Sequence, residues 1–199
     1  MSLLDMLQNQ LSGEPAAQVS QRIGVDQAAG QKAIGAALPA LMAALAGNAR
    51  GKEGAAKLAQ ALDKDHDGSI LDDLPAFLSR GDTRDGEGIL KHALGTRRPA
   101  VESEVAKQTG LDLKSVSGLL PILAPLVMGA LGRQKQQQSL DPGGFSSMLA
   151  GEGNRAKEMA PGALGLLGSL LDDEGDGLDA GDVADAGKRL LGGLMGKRK

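Results

Sequence analysis

The chain has 199 residues, of which 41% are hydrophobic and 24% charged, with a formal net charge of −3 and an isoelectric point near 5.4. That composition belongs to a folded protein and argues against a general nucleic-acid binder. There is no Cys, which excludes disulfides and thiolate metal sites, and the only aromatic residues are Phe77 and Phe145. The core must therefore be aliphatic, which favours closely packed helices over sheets.

The N-terminus, MSLLDMLQNQ, has Asp5 and no basic segment, so a secretory signal is not expected. No uninterrupted run of about 18 apolar residues is present, so no membrane span is expected either. A cytoplasmic location is the default, with a soluble periplasmic or surface protein as the alternative.

Leu3, Leu4, Leu7 and Leu11 predict a short first helix. Pro15 opens a second that ends near Gly24, and Asp26 is placed to cap a third. Pro39 lies within that third segment and predicts a kink or a fresh helix start, because proline removes an N–H and clashes with the preceding turn.

The same order then returns. Residues 109–132 align without gaps on residues 23–46 at an offset of 86, with six of 24 positions identical: Gly24/Gly110, Asp26/Asp112, Pro39/Pro125, Met42/Met128, Ala44/Ala130 and Leu45/Leu131. Upstream, Leu3-Leu4 matches Ile89-Leu90 and Val19 matches Val105. Downstream, an acidic loop DKDHDGSILDDL at 63–74 is answered by DDEGDGLDAGDV at 172–183. The second copy is longer, and RQKQQQSLDPGG at 133–144 reads as a flexible polar excursion. The predicted architecture is all-α: two tandem multi-helix copies, at 1–82 and 83–199, with Pro-bent apolar helices and EF-hand-like acidic loops.

The N-terminal SLLDML, the Gly-x-Asp step before a Pro-containing apolar helix, and LDKDHDGSILDDL together resemble the YidB-like family of bacterial proteins of unknown function. The resemblance covers most of both copies and implies a compact helical fold with no assigned activity. The second acidic loop departs from the pattern at Glu174 and Gly181.

Asp63, Asp65, Asp67 and Gly68 stand at positions 1, 3, 5 and 6 of a calcium loop, with the Ser69 carbonyl at position 7. Position 12 is Leu74 rather than a bidentate acid; Asp72 and Asp73 are the nearest carboxylates. Asp172, Glu174, Asp176 and Asp182 repeat the pattern in the second loop. Weakly bound calcium is one reading. The other is an acidic turn whose Asp side chains cap the next helix without metal.

Ala106, Gly110 and Val116 have helix-turn-helix spacing, with a second helix starting near Leu113 and presenting Lys114, Ser115 and Ser117, and with Arg97, Arg98 and Lys107 nearby. That helix soon becomes LLPILAPLVMGAL, which must be buried, so packing is the simpler reading. The apolar helices near 33–46 and 119–131 are apolar all round and belong in a buried centre, or at a partner or self-association surface. The basic C-terminus, with Lys188, Arg189, Lys197, Arg198 and Lys199, reads as the tail of a docked helix rather than a membrane-surface helix.

No catalytic constellation is visible: His66 and His92 are the only histidines, and GxSxG, Walker and dinucleotide motifs are absent. The expectation is a non-enzymatic interaction or scaffold protein that binds a protein partner or itself, with calcium tuning. A DNA-binding regulator is the alternative.

Overall fold

The computed structural model describes residues 2–49 and 51–159. The chain divides into two compact units, Met1–Leu167 and Gly168–Lys199; the second lies wholly outside the described residues, as do the loop at 172–183 and the basic tail.

Among the described residues every regular element is helical. The order is α1 (Leu3–Gln10), α2 (Glu14–Ile23), α3 (Gln27–Asn48), α4 (Gly51–Asp65), a 3₁₀ turn at Ser69–Leu71, α5 (Leu74–Arg80), α6 (Arg84–Ala93), a 3₁₀ turn at Gly95–Arg97, α7 (Arg98–Thr109), α8 (Leu113–Gln137) and α9 (Pro142–Met159).

Local chemistry sets most boundaries. Ser2 and Asp5 form a reciprocal capping box at the start of α1. The Ser2 amide and hydroxyl hold the Asp5 carboxyl below its usual pKa. Gly24 and Gly110 end α2 and α7 in the left-handed conformation, at φ 74° and 80°. Two residues later Asp26 and Asp112 cap α3 and α8, accepting from the backbone amides of Ala29 and Ser115.

Two long helices make the centre. All residues from Leu119 to Gly132 of α8 are buried, and so are Ala37 to Leu45 of α3. These helices pack on each other; α2 and α7 each touch both, α6 lies on α8, and α9 lies along α3 and α4. Each fully buried Leu contributes about 1.5–3 kcal/mol. The centre is aliphatic except for Phe145 of α9, which is completely buried.

Of the kink or fresh start expected at Pro39, the fresh start is absent: α3 runs through Pro39, as α8 runs through both Pro121 and Pro125. Burial against neighbouring helices holds them together despite the lost N–H donors. The stretch 133–144 is also more ordered than a polar excursion: Arg133–Gln137 extend α8, and Pro142 opens α9. By length and composition Gln27–Gly47 and Leu113–Gln137 are apolar enough to cross a membrane, but 67% and 89% of their apolar windows are buried within the protein, as in the core helices of a folded domain.

Proline also shapes the packing. Pro125 has no N–H for the carbonyl of Pro121, and α6 lays Gly86 directly against that oxygen. A Cβ at Gly86 would sit 1.8 Å from it.

Candidate functional site: the acidic loop and the cleft beside it

The first acidic loop does not gather its carboxylates around one point. Asp63 and Asp65 belong to the last turn of α4. Asp63 pairs with Lys135 of α8 at 2.5 Å, and Asp65 lies 3.9 Å from Lys64. Asp67 accepts from the Ser69 amide, which lowers its pKa. Asp72 pairs with Arg133 at 2.6 Å, and Asp73 caps α5 by accepting from the Ala76 amide. Among the described residues no group of three or more His, Asp or Glu side chains is placed to hold a metal ion. Asp172, Glu174, Asp176 and Asp182 fall outside the described residues.

What the loop does touch is the end of α8. Gly68, at φ 94°, fits over Gly129 and Arg133, and Gly132 meets the carbonyl of His66 so closely that a Cβ there would lie 1.8 Å away. Arg133 donates to both the Gly68 carbonyl and Asp72. The calcium-like Gly thus serves a close approach between loop and helix.

Beside the loop lies a cleft of about 610 Å³, within the range of ligand and peptide sites. One wall is α4, with Gly54, Lys57, Leu58, Ala61 and Asp65; the other is α6, with Arg84, Asp85, Gly88, Ile89, His92 and Ala93. Leu45 and Met128, one from each central helix, line it between the walls. His66, with only 11% of its side chain exposed, places Nδ1 4.0 Å from Asp85 across the cleft. The rim cations make exposed pairs, Lys57 with Glu53 and Arg84 with Asp82; the Arg84 guanidinium brings the Asp82 carboxyl down to about 2.

The sequence marked His66 and His92 only as isolated residues. Their common cleft depends on α4 and α6 both lying on α8, a tertiary fact without a local motif.

The helix-turn-helix reading fares differently in its two parts. The turn is present, and α8 begins at Leu113. Of its reading residues, Ser115 is buried and donates to the Ile23 carbonyl at 3.2 Å, Ser117 is half-buried and Lys114 is exposed. Arg98 is held by Glu87 and by Glu102.

These features define an all-helical protein with two capped, proline-containing central helices and an apolar cleft at their side. Residues 5–134 match the family described as bacterial protein of unknown function (DUF937), and the chain belongs to that family, which includes YidB. No curated protein and no solved structure matches the chain.

Proposed function

We propose that this protein is a non-enzymatic helical interaction module whose binding face is the cleft between α4 and α6. The cleft itself carries the reading: an aliphatic floor open between two helices, edged by polar groups whose exposed ion pairs are weak enough to exchange. The partner is a protein segment that offers aliphatic side chains to Leu45, Leu58, Ile89 and Met128.

The module is built from two equivalent halves. The Ile23 carbonyl at the end of α2 accepts from Ser115 of α8, and the Thr109 carbonyl at the end of α7 accepts from Lys32 of α3. Ile23 and Thr109 are 86 positions apart, as are the first residues of α3 and α8. The two acceptor carbonyls stand at matching positions, as an internal duplication would place them, although their donors, Ser115 and Lys32, do not correspond.

The acidic loop acts in this reading as a clasp on α8, since Lys135 and Arg133 already occupy Asp63 and Asp72. Calcium would have to displace both. DNA binding is disfavoured by the burial of Ser115 and by the net charge of −3.

Gly88 offers a clean test, because a Cβ there meets nothing within 4 Å. Gly88→Trp should obstruct the cleft and leave the fold intact. Capture from native bacterial lysate with the wild type and with Gly88→Trp should lose one specific partner in the variant. Identical captured proteins at unchanged circular dichroism would refute the cleft as the binding face.

A further inference from the structure

We infer that α9 is an exchangeable helix, and that the groove it fills on α3 and α4 also accepts α9 from a second copy of the chain. This goes beyond the cleft proposal and uses a different surface.

The observations concern α9, its seat and its hinge. α9 begins past the matched family region, which ends at residue 134. Gly143, Gly144, Gly151 and Gly153 lie within its 18 residues, so its own helix propensity is low and its order depends on what it packs against. Its buried residues are Phe145, Leu149, Gly153 and Ala156, a single stripe at helical spacing. This is the pattern of a helix docked in a groove. Phe145 is the anchor, and Gly153 brings α9 so near α3 that a Cβ would lie 2.6 Å from that of Ala46. The seat is therefore cut to this helix, and a second copy supplies the identical one.

The hinge favours the exchange. α8 ends in Arg133–Gln137, and the chain reverses through the short link from Gln138 to Asp141. Ser139 holds φ 48°, the only non-glycine positive φ among the described residues. A left-handed L-residue is strained, and short strained hinges invite swapping. Opening the link relieves Ser139, while the contacts of α9 are remade on the second copy at no net loss. The residue before Pro142 already prefers an extended backbone, which suits an open hinge.

The test is light scattering on the full chain after refolding at low and at high concentration. The wild type should yield a dimer fraction that grows with concentration and persists on dilution, because exchange back requires α9 to undock. Ser139→Gly removes the strain and should lower the dimerisation constant about tenfold or more. Deleting Ser139 and Leu140 prevents the reversal and should give an obligate dimer. Gly88→Trp should leave dimerisation unchanged, which separates this surface from the cleft. A wild type that stays monomeric after refolding at high concentration would overturn the inference, as would a dimer whose fraction ignores Ser139→Gly. If the deletion fails to fold, the wild type and Ser139→Gly still decide.

Discussion

α3 and α8 begin alike and end differently. Each follows a left-handed Gly and an Asp cap, and each passes through a proline at an equivalent position. Their C-terminal halves are covered by unrelated means. α9 covers α3 with an apolar stripe, while the acidic loop covers α8 through glycine contacts and two cationic side chains. Starts are set by local hydrogen bonds, which the same Gly-x-Asp step makes in both places. Covers are tertiary, and each helix has its own.

The largest effect should come from the close approach on α8. Gly86→Ala puts a methyl into the Pro121 carbonyl, and backbone cannot give way as a side chain can. We expect a loss of about 3 kcal/mol in denaturant melts, the upper range for overpacking. Gly88→Ala, on the same helix but facing open space, should instead gain about 0.5–1 kcal/mol. Equal effects at the two glycines would contradict the packing described.

Next comes the clasp. Arg133→Ala removes the donor to the Gly68 carbonyl and the partner of Asp72 and should cost about 1.5–3 kcal/mol, the range for hydrogen bonds to charged groups. Lys135→Ala, which loses a single bond to the half-exposed Asp63, should cost less, about 0–1 kcal/mol. The equivalence of the two helix starts is tested by Asp26→Ala and Asp112→Ala, each expected to cost about 1 kcal/mol. A several-fold imbalance would break the comparison.

Acid should act through carboxylates whose folded pKa is lowered. Glu87 is lowered by Arg98, Asp112 by the Ser115 amide, and Asp82 to about 2 by Arg84. A lowered folded pKa gives stability that is present above the unfolded value and lost as pH falls through the folded one. Thermal melts should therefore be flat from neutrality to about pH 5, the top of the window in which such stability is lost, and fall steadily toward pH 2. A rise in stability below pH 4 would contradict these pairings. Smallest of all should be calcium: because the loop carboxylates already have partners, millimolar calcium should move the melting temperature by no more than about one degree, the size expected when [L] is below Kd. A shift of many degrees would reinstate a cation site at Asp63, Asp65 and Asp67.

Helix starts were legible from the sequence because they rest on residues acting within four positions of themselves. Asp26, Asp112, Gly24 and Gly110 all do what their chemistry predicts. Continuity through Pro39 was not legible, because it rests on burial by distant helices. The acidic loop showed its spacing but not its partners, since Arg133 is 61 positions from Asp72. For the same reason the cleft had no signature: Leu58, Ile89 and Met128 read as ordinary core residues until α4 and α6 are placed on α8.

The central claim is that α3 and α8 form one intramolecular core, rather than surfaces held for a partner or a membrane. Native-state hydrogen exchange tests it most directly. Amides of Ala37–Leu45 and of Leu119–Gly132 should share the highest protection and exchange only by global unfolding, with matching dependence on denaturant. If either helix exchanges through a separate, lower-energy opening, the two are not one core, and the account fails.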